Sequence, residues 1–258
     1  MSEEQRSIEL EVDVVGTPEE VWRAIATGPG ISSWYVPHVV EEREGGAATA
    51  SFGPEPEMQI PGRVRVWEPL RRIVFDGGDA DEGLAFEWLV EARDSGSCVV
   101  RLVNTGFATG EEWDDHYNGM TEGWKLFLSN LQLHLAHFGG QTATAMLPMA
   151  SWAGPPAEAW ARMLDRLGLS DELAAGDRIE VDGPDTPPLA GVVVEREARR
   201  MTVLVDAPAP GTAFIAAEGT GDQIMMSVWS YLYGDDGAAA VERDEPMWRN
   251  LLAGGATS

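Results

Sequence analysis

Lysine, cysteine and histidine are scarce in this chain of 258 residues: Lys125 is the single lysine, Cys98 the single cysteine, and His38, His116, His134 and His137 are the four histidines. One cysteine excludes an intrachain disulfide and any cysteine-based zinc cluster. Cys98 sits in an extended apolar run, where a thiol acts as a small hydrophobe rather than a nucleophile. Basic residues total 18 against 43 acidic ones, a formal charge of −25. That surface repels phosphate backbones and anionic headgroups, so nucleic-acid binding is not expected. Long apolar runs are missing too: nothing reaches the roughly 18 residues that a membrane span needs. The polar start, Met1 to Arg6, holds no signal-peptide core, and a cytoplasmic protein is expected.

What remains is the material of a globular protein, 44% hydrophobic with ten tryptophans. An alternating strand over Ile8 to Val15 runs into Thr17-Pro18-Glu19-Glu20-Val21-Trp22. Threonine suits an N-cap, proline the first helical turn, and the two glutamates the positive end of a helix dipole. The spacing predicts a helix from Pro18 to about Ala26, a break at Thr27-Gly28-Pro29-Gly30, and a second helical turn from Ile31 to Tyr35. An antiparallel meander follows, with Gly45-Gly46 as a hairpin turn and extended runs at 47–52, 62–68, 72–76, 84–92 and 98–104. From Glu111 to Phe138, Trp113, Tyr117, Met120, Trp124, Phe127, Leu131, Leu135 and Phe138 recur every three or four residues. That periodicity predicts one long amphipathic helix, stopped by Gly139-Gly140.

A weaker echo begins at Pro156-Ala157-Glu158-Ala159-Trp160, where Pro, Glu and Trp repeat the spacing of Pro18, Glu20 and Trp22. Strands are expected at 142–150, 178–181, 191–197, 201–206, 212–218 and 223–233. A helix over 156–167 and a short terminal helix carrying Met247, Trp248, Leu251 and Leu252 complete the half, with Pro246 starting or kinking the latter. Two domains are therefore expected, 1–139 and 140–258.

The order of strand, two short helices, meander and long helix resembles the α+β helix-grip fold of START domains and the birch-pollen-allergen (SRPBCC) superfamily. Within it, residues 8–138 are similar to homologues of the heat-shock-protein ATPase activator. Thr17 to Trp22, Ile31 with Trp34, Gly45-Gly46, Gly62 to Val66 with Glu68-Pro69, Gly106-Phe107 and Gly123-Trp124 before Leu128 and Leu131 carry the likeness. The second half has no counterpart to Trp34 or to Gly123-Trp124 and reads as a degenerate copy. The resemblance implies a curved sheet wrapped on the long helix around a cavity. Such cavities hold lipids, sterols or polyketides, and some members catalyse cyclisation or hydrolysis in them.

On that reading Trp34, Met58, Trp67, Phe86, Trp88, Trp113, Tyr117, Met120 and Trp124 are candidate pocket walls, though the same aromatics could fill the core and plug it. Asn104, in phase with Cys98, Val100 and Leu102, is an inward amide that would orient a ligand or bond the helix. His38 and His116 are the candidate acid/base groups, against the plainer reading of a hydrogen-bonded or solvent-facing imidazole. Asp114 and Asp115 read as a solvated charge pair at the helix start. His134 and His137 lack a third ligand, so no metal is expected, and the glycine pairs lack the strand-to-helix context of a dinucleotide site, so no cofactor is expected. The expected function is binding of a small hydrophobic or amphipathic molecule for sequestration or transport. The rivals are a cyclase- or hydrolase-type enzyme and a chaperone-associated interaction module.

Overall fold

A computed structural model describes residues 6–255 except 79–82, 95, 108–110 and 184, and excludes the side chains of 111–113 and 115. The chain divides into two compact units, Met1–Thr142 and Ala143–Ser258. The first opens with β1 (Arg6–Val15), whose Ile8 and Val14 are buried while Glu9 and Glu11 alternate outward. α1 (Pro18–Ala26) follows at once, closed by a capping box: Glu20 N–H donates to Thr17 Oγ1 at 3.3 Å and Thr17 N–H to Glu20 Oε2 at 2.8 Å. Val21, Trp22 and Ile25 bury its inner face.

The next helical turn is displaced from its expected place. α2 spans Gly28–Ile31 rather than Ile31 to Tyr35, because Thr27 caps a helix as well as ending one, accepting from Gly30 N–H at 3.1 Å. Only glycine fits at 30, where a Cβ would stand 1.9 Å from Arg23 O.

β2 (His38–Val40), β3 (Ala47–Ser51), β4 (Gln59–Glu68), β5 (Arg72–Asp76), β6 (Ala85–Arg93) and β7 (Ser97–Phe107) form the antiparallel meander, and β1 closes on β7 to give the order β1-β7-β6-β5-β4-β3-β2. α3 (Glu111–Phe138) then lies on the curved sheet with Trp124, Leu128, Leu131 and Leu135 in the core beside Trp34 and Trp88. Asn118, Lys125 and Gln132 are exposed, as the periodicity requires. The buried face is broader than the stripe, taking in Leu126, Asn130 and His134, and Asn130 Nδ2 donates to Trp34 O at 2.8 Å. Cys98 is fully buried, and burial, helped by Glu19, raises its thiol pKa, which keeps it inert.

The second unit repeats this plan with one meander strand fewer. β8 (Ala143–Met146) and β9 (Met149–Ala153) both pair with β14 (Gln223–Tyr233), so the expected single strand over 142–150 is an edge strand interrupted near Pro148, whose carbonyl still accepts from Val228 N–H at 3.1 Å. Between them in sequence lie α4 (Pro156–Leu167) and the strands β10 (Arg178–Val181), β11 (Leu189–Glu197), β12 (Arg200–Ala207) and β13 (Gly211–Glu218). First strand pairs with last, as in the first unit, and the rest follow in order outward. The fold is thus a helix grip in tandem.

Its last helix, α5 (Gly234–Gly255), is far longer than the expected segment around Trp248 and carries Pro246 in its interior. Ala240, Val241, Trp248, Leu251 and Leu252 are buried along its length. Packing of that face outweighs the roughly 3 kcal/mol that an interior proline costs. Among the described residues no helix is long and apolar enough to cross a membrane.

Two outcomes follow. Pro246 is exposed, so Pro246→Ala should raise the stability of the second unit by about 1 to 3 kcal/mol in denaturant unfolding. His134 is buried, which lowers its pKa from 6.5 to about 4. The unfolded chain therefore gains a proton between those values that the folded one refuses, and stability conferred at neutral pH drains away as pH falls from 6.5 toward 4. Subtracting melting temperatures of His134→Gln from those of the parent at pH 7 and pH 5 should show the parent losing more on acidification. The other titrating groups cancel in that subtraction.

Candidate functional site

The first unit holds a cavity of about 450 Å³, open to solvent on one side, within the roughly 300–1,000 Å³ range of small-molecule sites. Strand alternation supplies one wall, because Phe86 and Trp88 are two apart on β6 and share its inner face. Helical spacing supplies the opposite wall from α3: His116, Gly119, Met120, Gly123, Trp124 and Phe127. Trp34, Tyr35 and His38 come from the segment between α2 and β2, with Ile25 and Ile31 behind them.

The rings brace one another. Trp124 meets Trp88 edge-on at 5.5 Å, Phe86 at 5.6 Å and Tyr35 at 5.0 Å, while Trp34 stands against Trp88 at 5.6 Å. Such tilted contacts fix ring orientation. Two indoles are also tethered: Trp34 Nε1–H donates to Ala24 O at 2.8 Å, and Trp124 Nε1–H to Asn104 Oδ1 at 3.3 Å. Asn104 in turn donates to Ala85 O at 3.1 Å and is fully buried. It lies outside the lining and ties the helix to the sheet, the second of the two roles open to it in sequence.

Opposite these rings the helix presents no side chain at two places. A Cβ added at Gly119 or Gly123 would find no atom within 4 Å beyond the helix itself. Glycine inside a helix costs roughly 1 kcal/mol relative to alanine, so the chain keeps this space open at the expense of its own stability.

The lining is almost wholly apolar. No Lys, Arg, Asp or Glu belongs to it among the described residues. Its polar groups are few, and two are shifted. His38 Nδ1 lies 2.7 Å from Val36 O, and since a carbonyl can only accept, Nδ1 carries the proton and Nε2 is left as an acceptor. Burial lowers the His38 pKa, partly countered by that bond, and keeps the ring neutral. Burial also raises the Tyr35 phenol well above its usual range. No cluster of three metal-ligating side chains exists among the described residues.

Of the residues singled out in sequence, Trp34, Phe86, Trp88, Met120, Trp124, His38 and His116 meet around the cavity. The others do not line it. Trp67 packs edge-on against Trp22 at 5.1 Å in the core. Tyr117 hydrogen-bonds Ser7 O at 3.0 Å under the Arg6 guanidinium, and Met58 ends the short 3₁₀ turn Pro56–Met58. The Trp113 side chain lies outside the described residues. Sequence reasoning passed over Tyr35, Phe52, Phe75 and Phe127 as walls. Phe127 already stood in the helical stripe, three residues after Trp124, and could have been found there.

No curated protein matches the chain. Among solved structures, the di-domain ARO/CYC BexL from the BE-7585A biosynthetic pathway is similar at 16% identity over 98% of this chain and 94% of its own, with a TM-score of 0.45. The Aha1 dimer from Colwellia psychrerythraea is 16% identical, over 50% of this chain and 96% of its own, with a TM-score of 0.41. CalU16 from Micromonospora echinospora is 20% identical over 52% and 78%, with a TM-score of 0.40. Residues 16–136, nearly all of the first unit, match the family described as Activator of Hsp90 ATPase homolog 1-like protein. Over those residues the first unit, with its helix-grip topology, is similar to the activator-homologue family.

Proposed function

We propose that the first domain, residues 1–139, binds a small hydrophobic or amphipathic molecule between sheet and long helix and serves to sequester or carry it. The observation that carries this reading is the unfilled space itself. Apolar side chains normally pack against one another rather than line open space. Here a cavity of about 450 Å³ persists among rigid aromatic rings, with two glycines facing it from α3 where larger side chains would fit. Filling it would stabilise the protein through both helix propensity and burial, so an open apolar cleft is a cost that binding explains.

Burial of a ligand in such a space is driven by apolar area, at roughly 25 cal/mol per Å². Orientation then falls to the few polar groups. The second domain, residues 140–258, is read as a partner copy that has lost the corresponding features.

The test separates stability from binding. Nile red, a neutral dye that brightens in apolar surroundings, should bind the parent protein. Gly123→Leu should abolish that signal while leaving the melting temperature equal or higher, and Gly123→Ala should raise stability by roughly 1 kcal/mol with a partial loss of dye. Dye binding that survives Gly123→Leu unchanged would place the ligand elsewhere and contradict the proposal.

A further inference from the structure

The second unit carries a hollow of its own, about 490 Å³, where the ends of α4 and α5 meet the loop between β10 and β11. α5 supplies Met247, Asn250 and Leu251, which share one face at three- and four-residue steps. Arg166 comes from the last turn of α4, and Asp185 and Thr186 come from the loop. Leu251 is buried and Met247 half-buried, whereas Asn250 and Asp185 are exposed, so an apolar floor has a polar rim.

Arg166 and Asp185 bring opposite charges to this hollow, yet no ion pair joins them. Other arginines of the unit take the carboxylate they meet: Arg178 holds Asp206 at 2.6 Å, and Arg196 holds Asp171 at 2.7 Å. Arg166 is committed elsewhere. Its guanidinium lies over the Trp152 ring, 5.6 Å from the centroid, and donates from Nη1 to Leu251 O at 3.3 Å and from Nη2 to Gly254 O at 2.8 Å. These bonds pin the cation at the C-terminal, negative end of α5. Asp185 is restrained from the other side, because Thr186 closes back on Gly183 O with its backbone N–H at 3.1 Å and its hydroxyl at 3.0 Å. Two opposite charges are thus held in one hollow without meeting. Arg166 has spent two of its five N–H donors, and the Asp185 carboxylate and Asn250 amide have no hydrogen-bond partner among the described residues.

A ligand that satisfies both side chains must carry both charges. A simple anion could pair with Arg166 but would set a second negative charge beside Asp185, on a chain of net charge −25. A simple cation could pair with Asp185 but would face Arg166. A zwitterion has no net charge to be repelled, and its two ends match the two side chains. The floor of Met247 and Leu251 adds a demand for an aliphatic group. We propose that this hollow is a second ligand site, independent of the cavity in the first unit, and takes a free α-amino acid with an aliphatic side chain. The ligand ammonium donates to the Asp185 carboxylate, the ligand carboxylate accepts from Arg166 and the Asn250 amide, and the side chain lies on Met247 and Leu251.

Calorimetric titration of the full-length protein with three matched probes tests this: L-leucine, 4-methylpentanoate, which lacks only its ammonium group, and 3-methylbutylamine, which lacks only its carboxylate. Leucine should bind roughly tenfold tighter than either, since each analogue forfeits a charge-assisted bond and leaves one charged side chain unmatched. Asp185→Asn should weaken leucine by about the same factor with no change in melting temperature, because the carboxylate bonds nothing in the free protein. In ¹⁵N-tryptophan-labelled protein, leucine should shift the indole signal of Trp152, which lies under Arg166, and leave Trp34, Trp88 and Trp124 in place. Absence of leucine binding, 3-methylbutylamine binding as tightly as leucine, an affinity that survives Asp185→Asn, or shifts confined to the first-unit indoles would overturn the proposal.

Discussion

Trp124 reaches across from α3 to the sheet, and its indole N–H ends on Asn104, which is itself anchored to Ala85 O. This buried bond ties the helix to β6 and β7, and the rings that line the cavity pack around it. Trp88, Phe86 and Tyr35 all lean on the Trp124 indole. Rings held edge to face cannot slide together to close a gap, because their orientation is part of their contact energy. Gly119 and Gly123, one turn apart on the same helix, withhold the side chains that would fill it. The cavity is thus the consequence of a tether and two omissions.

The second unit shows the same plan with a tryptophan set against its last helix. Trp152 is buried and bonds Leu252 O at 2.7 Å, and the helix glycine that faces it is pressed so close that a Cβ at Gly255 would fall 1.9 Å from the Trp152 ring. There a glycine permits contact, whereas in the first unit glycines preserve distance. Trp160, Met163, Val203, Ile215 and Trp248 join Trp152 in a continuous core. The second unit keeps the Pro-x-Glu-x-Trp spacing of the first without a counterpart of Gly123-Trp124.

Much of this was legible in the chain. The capping residues Thr17 and Glu20 dictate α1 through local bonds, and the three- to four-residue recurrence of apolar side chains dictates α3. The walls from β6 follow from strict alternation. What escaped was non-local. Thr27 does two jobs at once, so α2 begins three residues early. Pro246 conceals a helix that only tertiary burial of Trp248 and Leu252 sustains. A register shift between Val64 and Val66 breaks the alternation of β4, and Trp67 ends in the core against Trp22. Large apolar side chains announce burial but not direction, which is why Met58, Trp67 and Tyr117 read as walls and Tyr35 did not.

Indole N–H resonances give the most direct test that the first-unit cavity is the ligand site. In ¹⁵N-tryptophan-labelled full-length protein titrated with Nile red, the signals of Trp34, Trp88 and Trp124 are expected to shift together and saturate at one ligand per chain. Those of Trp152, Trp160 and Trp248, buried in the second unit, are expected to stay in place. Shifts confined to the second-unit tryptophans, or a titration that moves none of the three cavity indoles, would contradict the account.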